Sequence, residues 1–95
     1  MKIINLILQK YTKNYLEYFG YTIADFIPCE CCGSQSHDFH HIVPRSKFGK
    51  NNKEEQDRVE NVMALCRLCH VRYGQNKRYN DFLQELHNKT IEYHK

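Results

Sequence analysis

Ninety-five residues make one small domain and exclude a large multi-layer enzyme. Hydrophobic residues at 41% and charged residues at 26% are ordinary for a globular chain, which excludes wholesale disorder. The net charge of +3 permits contact with nucleic acid without arguing for it. So short a chain buries little surface, and its five cysteines are the natural means of bracing it.

At the amino terminus, Lys2 precedes an apolar stretch that Asn5, Gln9 and Lys10 interrupt. With no small-residue cleavage site, and far short of the roughly 20 residues that span a bilayer, it reads as neither signal peptide nor membrane segment. A cytoplasmic, intracellular protein with reduced thiols is expected, with no membrane partner. Ile4, Ile7, Leu8, Tyr11, Tyr15 and Phe19 recur at three- and four-residue intervals, predicting one amphipathic helix that ends near Gly20. Thr22 to Asp25 has capping-box spacing and can open a single turn before Pro28. Residues 1–28 thus form a helical preface and connector.

Asp38 to Val43 reads as a short strand ended by Pro44, and Val62 to Leu65 as a second. Between them Arg45 to Asn61 is polar and predicts a loop with at most one exposed helical turn. From Cys66 the pattern is helical, with Leu68 and Val71 able to face inward and Gly74 allowing a bend. Tyr79, Phe82, Leu83, Leu86 and Ile91 then mark a closing amphipathic helix. The organisation expected is a core over 29–75 and a carboxy-terminal helix over 76–95, all one domain.

Cys29-Glu-Cys-Cys32-Gly33 and Cys66-Arg-Leu-Cys69 are two Cys-x-x-Cys pairs, the spacing at which two thiolates grip one tetrahedral Zn²⁺. Gly33 suits a knuckle turn needing positive φ. Cys31 is left over as a non-ligand, because pairing it with Cys29 leaves one residue between ligands. Two disulfides fit poorly with reduced thiols, and no βαβ pattern supports a redox motif. The 33 residues between the pairs exceed a compact zinc ribbon, so something is inserted.

The insertion contains Asp38-Phe-His40-His41-Ile-Val-Pro-Arg45-Ser, then Glu60-Asn61 and, after the second pair, His70. From Cys29 to about Gly74 this order resembles the HNH endonucleases. The resemblance implies an α+β chain with a ββα-metal centre braced by a four-cysteine zinc. It further implies a metal-dependent endonuclease acting on DNA phosphodiesters and leaving 5′-phosphate ends. His41 would be the general base, His40 and His70 the ligands of a catalytic divalent metal, and Asn61 the residue orienting the base. Neighbouring strand residues face opposite ways, so His40 and His41 share a site only if the strand twists or ends there. Where some members carry a further His ligand, this chain has Gly74. Two imidazoles leave several positions open, favouring exchangeable Mg²⁺ or Mn²⁺, with Ni²⁺ and a second Zn²⁺ as further options.

Arg45 and Lys47, with Arg67 and Arg72 flanking the late cysteines and His70, are the phosphate contacts expected in a DNA complex, Lys50 and Lys53 adding diffuse attraction. A solvated charged loop explains Arg45 equally well and the lysines better. His37, His87 and His94 are expected to be ordinary surface residues. Tyr73 and Tyr79 are expected to pack in the core or at its rim. The principal alternative is a zinc-braced nucleic-acid-binding module without catalysis, and a third reading is a structural zinc domain that docks proteins through its first helix. Sequence preference is expected to be weak, monomer and homodimer are both open, and small chains of this family are frequent in phages and mobile elements.

Overall fold

The computed structural model describes residues 8–94, apart from the side chains of Arg45 and Lys50. The first helix, α1, runs Lys10–Phe19. The part of the expected helix over Ile4 and Ile7 lies outside the described residues. Tyr15 and Leu16 are its buried face. It stops because Gly20 takes up φ 74°, the left-handed conformation that favours glycine, and the Tyr21 N–H then returns to the Leu16 carbonyl at 2.8 Å. The Thr22–Asp25 segment forms a turn, in which the Asp25 carboxylate accepts from the Thr22 N–H at 2.7 Å.

Two antiparallel strands follow, β1 (Asp38–His41) and β2 (Val62–Leu65), with His40 opposite Met63 and His41 opposite Val62. All four residues of β2 are inaccessible to solvent, and they alternate between two cores. Met63 and Leu65 pack with Ile42, Leu83 and three of the zinc-pair cysteines, whereas Val62 and Ala64 pack with Tyr15, Leu16 and Ile27. The hairpin is therefore covered by α1 on one side and by the late helices on the other, giving a small α+β fold.

β1 ends two residues before the predicted Val43. The reason is local: both backbone polar groups of Val43 are taken by the Asn61 side chain, which withdraws them from the ladder. The polar stretch between the strands is more ordered than expected. It winds through turns at Arg45–Lys47, Lys50–Asn52 and Val59–Asn61 and a single-turn helix, α2, at Lys53–Gln56.

After β2, α3 (Arg67–Cys69) continues into a wide π-type turn over His70–Gly74, and α4 spans Asn80–His94. Leu68 and Val71, expected inside, are 64% and 55% exposed. The inner stripe of this helical segment is taken by Cys66, Cys69 and Tyr73 at three- and four-residue intervals, which rotates positions 68 and 71 outward. His87, expected on the surface, is wholly buried on the stripe with Leu83 and Ile91, while His37 and His94 are exposed. Among the described residues no helix is long and apolar enough to cross a membrane.

Candidate metal centres and catalytic histidines

The Cys-x-x-Cys pairs meet. One ligand atom each from Cys29, Cys32, Cys66 and Cys69 lies within 4.8 Å of every other, and the Cys32 and Cys66 sulfurs are 3.7 Å apart. Four sulfurs around zinc at about 2.3 Å stand about 3.8 Å apart, so this donor set fits a tetrahedral Zn²⁺. Gly33, at φ 82°, folds the first knuckle by returning its N–H to the Cys29 carbonyl at 2.9 Å. On the second pair, Cys66 caps α3 by accepting from the Cys69 N–H. Hydrogen bonding beside the Ser34 hydroxyl draws the Cys32 thiol down to about 6, whereas burial pushes Cys69 up. Cys31 is outside the tetrad, and burial raises its thiol to about 11.

Glu30, inside the first knuckle, was not anticipated. Its side chain is 3% exposed, and it accepts from Tyr15 Oη at 2.7 Å and from the Ala64 N–H at 3.0 Å, while its second oxygen meets His87 Nδ1 at 2.7 Å. His87 Nε2 bonds to the Val59 carbonyl. One carboxylate thus ties the knuckle to α1, β2 and α4.

A second group lies on the face of β1 that carries Asp38 and His40. The His40 and His70 rings stand 5.0 Å apart, and the buried His40 Nε2 has no hydrogen-bond partner. Asp38 Oδ2 meets His70 Nδ1 at 3.1 Å, fixing that ring and leaving Nε2 for a ligand. Burial, with His70 and His41 nearby, lowers His40 to about 4, so it stays neutral and able to ligate near pH 7. Gly74 makes room: a Cβ there would sit 2.6 Å from His70 Cδ2 and 3.3 Å from His40 Cε1 and Nδ1. An orphaned buried imidazole nitrogen beside a second oriented imidazole fits a divalent cation with open coordination positions.

His41 faces the other way. It packs edge-on against Tyr11 with ring centroids 4.5 Å apart, and its Nε2 is 2.9 Å from Asp57 Oδ1. The strand does not twist His41 into the His40–His70 cleft, but it ends at this residue. Asn61 does not hold the His41 ring as expected. Both its amide hydrogens go to carbonyls, those of Val43 at 3.1 Å and Gln56 at 3.0 Å, and its oxygen accepts from the Val43 N–H at 2.8 Å. The amide staples the two ends of the inter-strand loop.

Of the expected phosphate contacts, Lys47 and Arg72 are exposed, and Arg67 is exposed with Nε on Asp38 at 3.2 Å. The Arg45 side chain lies outside the described residues. Tyr73 is half-buried and packs edge-on against Tyr79. Asp38 was legible, since it lies two strand positions before His40 and so on the same face. Asp57 sits among Glu54, Glu55 and Glu60, where no pattern distinguishes it.

Residues 29–76 match the family model described as HNH endonuclease. Over 49 residues the chain is 35% identical to a protein named mitochondrial DNA mismatch repair protein mutS homolog, from Sarcophyton glaucum. That stretch is 52% of this chain and 5% of the relative, so the chain spans only a small part of that protein's length. No solved structure matches.

Proposed function

The chain belongs to the HNH endonuclease family, and on that premise we propose that it is a metal-dependent nuclease hydrolysing DNA phosphodiester bonds. The observation that carries this reading is the buried, partnerless His40 Nε2 beside the Asp38-oriented His70. A buried polar atom without a partner is costly, and a cation repays that cost where no side chain does. The relative's name, a DNA mismatch repair protein, fits DNA as substrate.

In this reading the four cysteines hold Zn²⁺ and fix α3, which begins between their last two members and presents His70. His40 and His70 hold Mg²⁺ or Mn²⁺, which when bound supplies positive charge to the phosphoryl oxygens and the departing 3′ oxygen. His41 takes the proton of the attacking water, as a neutral imidazole can near pH 7. Side chains on opposite faces of a hairpin act on one phosphate only around the end of the strand, and β1 ends at His41. Asn61 sets the loop on either side of that base. Lys47 and Arg72, with Arg45, supply diffuse attraction for the backbone.

The test is cleavage of supercoiled plasmid by zinc-loaded protein, stripped of loosely held metal and resupplied with Mg²⁺ or Mn²⁺, beside His41→Ala. Metal-dependent nicking that the folded variant loses is the expected result. Equal inactivity of both with DNA binding retained overturns the nuclease and leaves a binding module.

A further inference from the structure

We propose that Asp57 is a positioning residue for the general base: it fixes the His41 ring with the hydrogen on Nε2 and presents Nδ1 to the attacking water. The inference rests on the nuclease reading of His41 and adds a residue and a choice of nitrogen to it.

A carboxylate only accepts hydrogen bonds, so the 2.9 Å contact with Asp57 Oδ1 requires a hydrogen on His41 Nε2. In the neutral ring the lone pair able to take a proton is then on Nδ1. The contact is shielded, with the two side chains 10% and 12% exposed, and shielding from water makes an orienting hydrogen bond effective. Tyr11 closes the ring from the α1 side at 66° to its plane.

Asp57 is itself held from three directions. Asn14 on α1 donates to its carbonyl at 2.9 Å, its N–H returns to the Lys53 carbonyl at 3.3 Å, and Asn61 holds the preceding Gln56 carbonyl. Asn61 also holds Val43, two residues beyond His41. The Asn61 staple thus acts on His41 through the backbone and Asp57, which explains how an amide that does not touch the ring serves the base.

The experiment combines plasmid-nicking kinetics with ¹⁵N NMR of the imidazoles in zinc-loaded, Mg²⁺-supplied protein, for wild type, Asp57→Ala and Asp57→Asn. His41→Ala assigns the signal. The wild-type ring is expected to carry its hydrogen on Nε2. Asp57→Ala should lose that preference and lower kcat about 10- to 100-fold, the range for groups that orient an imidazole, with KM for DNA unchanged. Asp57→Asn, which keeps an accepting oxygen, should retain most of the signal and rate. A wild-type ring with its hydrogen on Nδ1, or wild-type kcat in Asp57→Ala, overturns the proposal. Should Asp57→Ala fail to fold, the wild-type tautomer and the Asn variant decide. A wild type that leaves plasmid uncut overturns the nuclease reading instead, and the ring signal alone then reports whether Asp57 sets the tautomer.

Discussion

Asp38 and His70, 32 residues apart in sequence, meet at 3.1 Å between Oδ2 and Nδ1, joining the start of β1 to the turn that follows the last zinc cysteine. Since Asp38 and His40 share a face of β1, one strand supplies both an imidazole and the carboxylate that orients its neighbour. Arg67 shares the same oxygen at 3.2 Å, but its side chain is 70% exposed and such a pair contributes little.

Replacing Asp38 by Asn or Ala should therefore act on divalent metal use more than on folding. We expect roughly 10- to 100-fold weaker activation by Mg²⁺ or Mn²⁺, read as a rightward shift of the metal titration of nicking. Arg67→Ala should shift it far less. Equal effects of the two would mean that the ion pair, not the His70 contact, matters.

The Glu30 network is a matter of stability. Burial and the adjacent carboxylate push the Tyr15 hydroxyl above its ordinary range, keeping it a hydrogen-bond donor to Glu30. Removing His87 would leave a buried carboxylate oxygen of Glu30 and the Val59 carbonyl without their partner. His87→Ala should cost about 3–5 kcal/mol, the range for removing one partner of a buried carboxylate pair, against about 1.5–3 kcal/mol for losing a hydrogen bond to a charged group, as in Tyr15→Phe. Denaturant titration of the zinc-loaded variants separates these values.

What was legible in the sequence is what is local. Both Cys-x-x-Cys pairs sit on tight turns whose spacing alone fixes the donor geometry within each pair. The buried Val62–Leu65 run has strand length with no competing periodicity. His87 was hidden by residue type: it continues the four-residue stripe of Leu83 and Ile91, but a histidine reads as polar until its partners, 57 and 28 residues away, are known. Asp57 was concealed likewise, its partner His41 lying 16 residues away. Leu68 and Val71 misled because hydropathy assigns the inner face to leucine and valine, whereas metal ligation assigns it to cysteine.

The pH dependence of His40 has a definite sign. Its folded value, about 4, is below the ordinary 6.5, so the unfolded chain takes up a proton first as pH falls. Its stability contribution is fully present above pH 6.5 and is lost progressively toward pH 4. In wild type holding its structural zinc but no metal at His40 and His70, the unfolding free energy should fall more steeply between pH 7 and 5 than in His40→Gln. Equal slopes would show that His40 takes up its proton in the fold as readily as in the unfolded chain.

Zinc removal should unfold the protein. Apparent free energies of structural zinc binding, about 10–16 kcal/mol near pH 7, are as large as the whole stability of a typical domain, roughly 5–15 kcal/mol. Three of the four cysteines also belong to the core around Met63 and Leu65. A strong chelator should abolish the helical circular dichroism signal, and more readily at lower pH. Protons compete for the buried Cys69 throughout, and for Cys32 once pH falls below about 6. Retention of the signal in fully demetallated protein would show that the hydrophobic core suffices.

Gly74→Ala sets two effects against each other. Helix propensity favours alanine by about 1 kcal/mol, and this glycine is not among those with positive φ. The added methyl, however, would lie 2.6 Å from the His70 ring and 3.3 Å from the His40 ring, both closely packed. Overpacking of that kind costs about 1–3 kcal/mol, so it equals or exceeds the propensity gain, and relief comes by pushing the imidazoles apart. The variant should show stability unchanged or up to about 2 kcal/mol lower by denaturant titration, together with a large loss of Mg²⁺-dependent nicking. A variant that is more stable and fully active would mean that the two rings need not approach so closely.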